Sequence, residues 1–225
     1  MKKDVTSLPD TASEKGIADP RLTGLMAFHR QRKQDSRDKL LTAAIERFCE
    51  RGYFSVSIDE IASAAGVSRV TFYRHFSSKA ALTAEVFRDA AEATKPLYLA
   101  IGAGRFEDPP VVRQWIAAIF EADLANRRML RVFTQATTDE GTFTPRAQAL
   151  ISELIAGLGL TIPAFDLDPA RPADRRRWHE AWLLLYELLD QSNHAALGAG
   201  FATSSDVIDI LTDRFLRFVG AGNTS

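Results

Sequence analysis

The chain has 225 residues, of which 46% are hydrophobic and 25% are charged, and this balance is typical of a folded globular protein. It has no apolar run near the ~20 residues of a membrane helix, no signal-peptide pattern, and only one cysteine, which excludes an intramolecular disulfide and a multi-cysteine zinc site. We therefore expect a cytoplasmic protein that contacts no membrane and needs neither a metal nor a cofactor.

The net charge of −1 hides an uneven distribution of charge along the chain. Residues 30–79 carry 10 Lys and Arg against 6 Asp and Glu, whereas residues 80–225 carry 14 against 19. A basic segment joined to an acidic remainder favours a nucleic-acid-binding module attached to a domain with another task. We accordingly divide the chain into an arm at residues 1–29, a DNA-binding domain at residues 30–79 and a second domain at residues 80–225.

The arm and the first helix differ in their periodicity. Residues 1–29 lack a sustained apolar period and contain two prolines and two glycines, which predicts a disordered arm. The first helix is predicted at residues 36–51, with Asp35 as its N-cap and Gly52 as its stop. Four basic residues approach or open this helix, namely Arg30, Arg32, Lys33 and Arg37. They either contact DNA or only keep the arm soluble, and the sequence leaves both interpretations open.

Two short helices follow, and capping residues mark their ends. Ser57 and Glu60 fit a capping box, in which each side chain bonds the backbone amide of the other residue, and Gly66 ends the helix. Ser68 caps the next helix, which begins at Arg69. A short helix, a tight turn and a second short helix form the sequence pattern of a helix-turn-helix motif.

The second helix of this motif presents an unusual set of side chains. Phe72 and Phe76 are four residues apart and are expected to face inward, which leaves basic and aromatic residues on the other faces. In a helix-turn-helix this helix enters the major groove of DNA with its N-terminal residues at the base edges. The residues that we expect to read bases are Arg69, Val70, Thr71 and Arg74. An arginine fork fits guanine, and valine or threonine methyl groups fit the thymine methyl. A basic face that is merely solvated is the alternative interpretation.

A resemblance to a known family is carried by five short stretches, which are Gly52-Tyr53, Ser57-Ile58-Asp59-Glu60-Ile61-Ala62, Ala65-Gly66-Val67-Ser68, Thr71-Phe72-Tyr73-Arg74-His75-Phe76 and Lys79. They closely resemble the DNA-binding domain of TetR-family transcriptional regulators over about residues 35–82. The resemblance implies an all-α homodimer with a three-helix N-terminal helix-turn-helix domain and a larger C-terminal domain for ligand binding and dimerisation. It also implies that Tyr73, His75 and Lys79 contact DNA phosphates. Ser57, at the amide end of its helix, and Arg37 are further phosphate candidates.

The remainder of the chain is also helical by pattern, so the predicted fold class is all-α. Ser77 is expected to cap a helix that runs towards Pro96, where a kink or an end is predicted, and Pro109 opens another helix. The other helices are predicted at residues 126–137, 145–158, 172–197 and 204–219. We expect the last two to pair with a second copy as a four-helix bundle across a two-fold axis.

Four aromatic residues of the C-terminal domain are candidates for an effector pocket, namely Trp115, Phe133, Trp182 and Tyr186. They favour an apolar or aromatic ligand, although ordinary core or dimer packing is the simpler explanation for them. Asp190 and His194 have the spacing of metal ligands on a helix, but two residues do not make a site, so no metal site is predicted.

Two functions of different classes fit these observations. The favoured one is a sequence-specific DNA-binding transcriptional regulator, a repressor that a small apolar or aromatic ligand releases from a palindromic double-stranded DNA operator. The alternative is an all-α enzyme or small-molecule-binding protein whose basic segment is incidental. The sequence shows no nucleophile elbow, P-loop or H-E-x-x-H motif, so we predict that the protein is not an enzyme. The identity of the effector, the operator sequence and the regulated genes stay open at this point.

Overall fold

The structure is a computed structural model, which describes the backbone of residues 20–139, 143–200 and 202–221 and the side chains of residues 33–136, 148–200 and 202–221. Within these ranges the chain is all-α, as predicted, and forms no strand. The helices are α1 (Pro20–Arg51), α2 (Ile58–Ala64), α3 (Arg69–His75), α4 (Lys79–Leu99), α5 (Pro109–Ala125), α6 (Arg127–Asp139), α7 (Phe143–Gly159), α8 (Arg175–Leu197) and α9 (Ser204–Gly220). Among the residues that the structure describes, no helix has the length and apolar character to cross a membrane.

The first helix is longer than its local sequence signals indicate. The predicted start at Asp35 is wrong, because α1 begins at Pro20 and Asp35 lies inside it. Residues 20–29 of the predicted arm are therefore helical, while residues 1–19 lie outside the described residues. Proline is tolerated in the first turn of a helix, where its missing amide hydrogen is not needed, and good helix formers dominate the positions that follow.

The caps of α2 and α3 are those that the sequence predicts. The Glu60 amide donates to Ser57 Oγ at 3.2 Å, and the Ser57 amide donates to Glu60 Oε2 at 2.8 Å, which completes the capping box. Ser68 Oγ accepts from the amide of the third residue of α3 at 3.1 Å. Gly66 ends α2 with a φ of +67°, a conformation that residues with a side chain rarely adopt.

The later helices follow their predicted positions closely. The N-cap of α4 is Ser78 rather than Ser77, since Ser78 Oγ accepts from the Ala81 amide at 3.0 Å. Pro96 lies in the last turn of α4, which gives way to a 3₁₀ turn at Ala100–Ala103. The helix α5 begins at Pro109 as predicted, and each helix from α6 to α9 begins and ends within three residues of its prediction.

Two clusters of buried apolar side chains hold the helices together. The larger one joins α5, α7, α8 and α9 in the C-terminal half. The smaller one joins α1, α2, α3 and the start of α4, and it also contains Val132, Phe133 and Ala136 of α6. The predicted DNA-binding domain therefore completes its core with a helix from beyond residue 79, and the boundary drawn there remains a prediction.

Candidate DNA interface and ligand cavity

The exposed side of α3 combines basic and apolar side chains. Phe72 is fully buried and anchors the helix, whereas Val70 is 80% exposed and Tyr73 and Arg74 are also exposed. An isolated valine with this exposure contributes nothing to the core, but its methyl groups fit the apolar contact that a thymine methyl offers in the major groove. The exposed face of α3 is thus suited to direct contact with base edges.

Arg69 stands at the N-terminal end of α3, as predicted, and its guanidinium group already has partners. Its Nη1 donates to Asp59 Oδ2 at 2.7 Å, and its Nη2 lies 3.5 Å from the Tyr73 hydroxyl. Both members of the ion pair with Asp59 are more than half exposed. Because exposed ion pairs contribute little to stability, the contact with Asp59 does not fix Arg69 firmly in place.

Thr71 is less accessible than the neighbouring base-reading candidates. Its side chain is half-buried, and its hydroxyl lies 3.0 Å from Ser68 Oγ, the same atom that accepts from its amide. Thr71 therefore helps to cap α3, and only part of its side chain is left for DNA. Arg74 is exposed and lies one turn after Val70 on the same side of α3.

Two of the predicted phosphate ligands, Ser57 and Arg37, are engaged by carboxylates. The Ser57 amide and hydroxyl both donate to Glu60, and these bonds together with Arg51 lower the pKa of Glu60 to about 2. Glu60 is therefore ionised at neutral pH and repels a phosphate at this position. Arg37 turns towards α4, where its Nη2 donates to Glu85 Oε2 at 2.8 Å.

Lys79, another of the predicted phosphate ligands, points into the protein and not towards solvent. Its Nζ donates to the carbonyl oxygens of Tyr53 at 2.9 Å and Val56 at 3.1 Å, and it lies 4.1 Å from the centroid of the Tyr53 ring. These contacts tie the start of α4 to the α1–α2 connection. The resemblance assigns Lys79 to phosphate, whereas the structure gives it this internal role.

His75 and Tyr73 remain at the surface that faces away from the core. His75 Nε2 lies 2.9 Å from Ser36 Oγ of α1, a contact between residues 39 positions apart that no sequence signal predicts. Burial lowers the pKa of His75, and the neighbouring cations Arg74, Lys33 and Arg37 lower it further. The neutral form of the ring is therefore favoured, and the ring lies within a basic cluster from α1 and α3.

A cavity of about 210 Å³ lies in the C-terminal half, between α4, α5, α6, α7 and α8. Apolar residues form most of its wall, namely Phe87, Ala90, Ala91, Ala93, Met129, Leu130, Phe133, Leu150 and Leu189. Its polar groups are Thr94, Tyr98, Asp123, Asn126 and Asn193, and the sequence analysis singled out none of them. They come from α4, from α5 and its C-cap and from α8, so only the tertiary structure brings these three groups together.

Of the four aromatic residues predicted to line a pocket, Phe133 alone lines this cavity. Trp115 is buried in the larger core, where its Nε1 donates to the Leu97 carbonyl at 3.0 Å. Trp182, which is partly buried against the larger core, stacks on the exposed Tyr186 with ring centroids 5.3 Å apart. These three residues do not line this cavity, because spacing on a helix identifies a shared face but not what that face contacts.

The same cavity is physically connected to the DNA-binding domain. Phe87 and Phe133 meet edge to face at 4.9 Å, and both also pack in the smaller core beneath α1 to α3. Two residues after Phe133, Gln135 Oε1 accepts from the Tyr53 amide at 2.8 Å in the α1–α2 connection. A displacement of α6 therefore acts directly on the domain that carries α3.

The candidate metal ligands Asp190 and His194 form a simple pair. His194 Nδ1 lies 3.4 Å from Asp190 Oδ2 and 2.8 Å from the Asp190 carbonyl oxygen. Across the described side chains, no three His, Cys, Asp or Glu residues are grouped closely enough to hold a metal ion.

Comparison with known proteins supports the interpretation of this geometry. Residues 40–86 match the model of bacterial regulatory proteins of the tetR family. The HTH-type transcriptional activator FasR of Mycolicibacterium smegmatis is 41% identical over 75 residues, which are 33% of this chain. The matched segment spans only 34% of the length of FasR, so it covers the DNA-binding domain and little more.

Solved structures share the fold over most of the chain. A TetR-family transcriptional regulator from Pectobacterium atrosepticum has a TM-score of 0.57 at 23% identity, over 85% of this chain and 92% of that one. RolR in complex with the ligand resorcinol has a TM-score of 0.56 at 20% identity, over 85% and 90% of the two chains. Residues 40–86 are therefore similar to the DNA-binding domain of the tetR family, and most of the chain shares the all-α fold of solved TetR-family regulators.

Proposed function

We propose that the protein is a sequence-specific DNA-binding transcriptional repressor, which acts in the cytoplasm as a homodimer and leaves a palindromic operator when a small ligand fills the cavity. The observation that carries this proposal is α3, a capped helix with a buried anchor, an exposed valine and flanking arginines. The exposed valine of this helix contributes nothing to the core, and the exposed side as a whole has the side chains that base recognition in the major groove requires.

The two kinds of DNA contact are divided between different residues. Arg69, Val70 and Arg74 reach base edges, with Arg69 exchanging the carboxylate of Asp59 for a guanine. Tyr73 and the basic cluster around His75 contact phosphates, which set the register without reading sequence. In a dimer the two copies of α3 meet half-sites about one helical turn, or ~34 Å, apart.

The outer face of α8 and α9 supports the homodimer. Leu183 and Tyr186 of α8 are 60% and 46% exposed, and Ile210 of α9 is 51% exposed. Large apolar side chains grouped at a surface are typical of an interaction site. A second copy of the same face covers them in an isologous contact, which matches the two-fold symmetry of a palindromic operator.

Ligand-dependent release is explained by Phe87 and Phe133, which line the cavity and also pack in the smaller core. RolR, which has a similar fold, was solved with the aromatic ligand resorcinol. In this chain a ligand between α4 and α6 contacts Phe87 and Phe133, which also support the DNA-binding domain. A ligand that binds better to a conformation with another separation of the two α3 helices lowers the affinity for the operator by that difference.

Replacing Arg69 by Ala tests the assignment of α3. An operator is first obtained by selecting the wild-type protein on random double-stranded DNA, and affinities are then measured against all single-base variants. We expect Arg69→Ala to lose about 1–3 kcal/mol and to relax the preference at one base pair of each half-site. Arg105→Ala, at an exposed arginine far from α3, is the matched control and is expected to leave both unchanged. An Arg69→Ala variant with wild-type base preference would contradict the docking of α3.

A second expected result concerns pH. Phosphate beside His75 raises the pKa that its surroundings lower in the free protein, so DNA binding takes up a proton. We expect the affinity for DNA to rise as the pH falls from 7.5 to 5.5, by less than tenfold, and His75→Gln to remove this rise. His179→Gln on α8 is the matched control. An equal pH dependence in wild type and His75→Gln would show that His75 does not approach a phosphate.

A further inference from the structure

One carboxyl group of the cavity has no counterion within the described part of the chain. Asp123 lies on α5, and its Oδ2 accepts from Ser192 Oγ of α8 at 2.6 Å. Ser192 is completely buried, and Tyr98, which is nearly so, lies beside the same pair. No lysine, arginine or histidine among the described side chains forms an ion pair with Asp123.

The surroundings of Asp123 make its negative charge unfavourable. Burial raises the pKa of Asp123, and the hydrogen bond from Ser192 offsets only part of this effect. A buried charge is tolerated when it is paired, and otherwise it weakens the protein that contains it. A partly buried carboxylate in a cavity wall without an ion-pair partner among the described side chains is typical of a binding site, where function is retained at the expense of stability.

The rest of the cavity determines the size and character of a ligand. Its volume of about 210 Å³ is below the roughly 300–1,000 Å³ of sites for drug-sized molecules, so its ligand is small. The rings of Phe87 and Phe133 and the side chains of Met129 and Leu130 form an apolar wall. Aromatic rings also attract cations. The wall that contacts the apolar part of a ligand therefore also accommodates a positive charge nearby.

We propose that the ligand of this cavity is a small organic amine, with one aromatic ring or a short alkyl body, whose ammonium group pairs with Asp123. The ammonium neutralises a carboxylate that no residue of the described chain neutralises, and the body packs against Phe87 and Phe133. A neutral alcohol offers only a hydrogen bond at the same place, and an anion is repelled. The regulatory consequence of this binding rests on the proposed function, whereas the binding itself does not.

Three probes of nearly equal shape distinguish these cases, namely 2-phenylethylamine, 2-phenylethanol and phenylacetate. Their binding to the full-length protein is measured by titration calorimetry at pH 7. We expect the amine to bind at least tenfold more tightly than the alcohol and phenylacetate to bind most weakly. An alcohol that binds as tightly as the amine, or an amine that fails to bind at millimolar concentration, overturns the proposal.

Asp123→Asn separates charge pairing from shape. The amide retains an oxygen that accepts from Ser192, so the variant is expected to fold and to unfold at no lower temperature than wild type. We expect it to lose at least tenfold in affinity for the amine and to keep its affinity for the alcohol within threefold. Glu121→Gln, at an exposed position on the same helix, is the matched control and is expected to keep the wild-type order of the three probes. Unchanged amine affinity in Asp123→Asn overturns the role of this carboxylate.

Operator binding in the presence of the amine keeps this inference distinct from the proposed function. Weaker operator binding by wild type, but not by Asp123→Asn, supports both. Amine binding that leaves operator affinity unchanged supports the ligand class and counts against ligand-dependent release. If no operator is selected from random DNA, the proposed function fails, while the comparison of the three probes still decides the inference.

Discussion

A Leu183→Asp variant is expected to be monomeric at micromolar concentration and to bind a two-fold operator at least 100-fold more weakly than wild type. Leu183 lies on the outer face of α8 with 60% of its side chain exposed, near Tyr186 and with Ile210 on the adjoining helix. A carboxylate placed in an apolar interface without a partner costs several kcal/mol, and an isologous contact introduces two of them. Sedimentation velocity gives the oligomeric state, and a gel shift gives the operator affinity.

The matched control is the same substitution at another exposed leucine. Leu160 follows α7 and is 86% exposed, so Leu160→Asp adds the same charge away from α8 and α9. We expect this control to remain dimeric and to bind the operator like wild type, with both variants showing the wild-type helical signal in circular dichroism. A dimeric Leu183→Asp protein would place the interface on a different surface and contradict the assignment to α8 and α9.

The second large effect is expected for Lys79→Met, which should lower the free energy of unfolding by about 1–3 kcal/mol. Methionine keeps an apolar side chain of similar length but offers no hydrogen to the carbonyl oxygens of Tyr53 and Val56. Tyr53 is completely buried, so the acceptor that loses its donor lies beside the smaller core. Urea unfolding followed by circular dichroism measures the change.

A control and a second measurement decide between the two roles assigned to Lys79. Lys39→Met, at an exposed lysine of α1, is expected to change stability by less than about 0.5 kcal/mol. A phosphate ligand would instead leave stability unchanged and reduce the slope of log affinity against log salt by about one per protomer. That outcome would restore the role that the TetR resemblance implies and refute the internal one.

The helices and their caps are the features that the sequence by itself determined. Ser57, Ser68 and Gly66 act on amides or turns within three residues, so their roles are legible in a short segment. These local signals predict the helix-turn-helix, and the resemblance to the family motif implies that α3 binds DNA. The start of α1 was predicted wrongly. Asp35 has the chemistry of a cap, but the residues before it also favour a helix, and α1 begins at Pro20.

Partners distant in sequence were decided only by the tertiary structure. Arg37 pairs with Glu85, 48 residues away, and Lys79 with the carbonyl of Tyr53, 26 residues away, which changes the role of two predicted phosphate ligands. The sequence places these basic residues in the predicted DNA-binding domain. Their orientation depends on which helices pack together, and no periodicity within a single helix contains that information.

The ligand cavity shows the same division most clearly. Aromatic residues at helical spacing were visible in the sequence, but Trp115 and Trp182 pack in or against the larger core, while Phe133 lines the cavity. Asp123 and Ser192 are 69 residues apart and meet only because α5 packs against α8. The spacing of apolar residues along each helix determined that these helices pack, because that spacing defines the face that a helix buries. The packing of the helices decided which polar groups meet in the cavity. Several helices form the cavity together, so the sequence of a single helix does not reveal it.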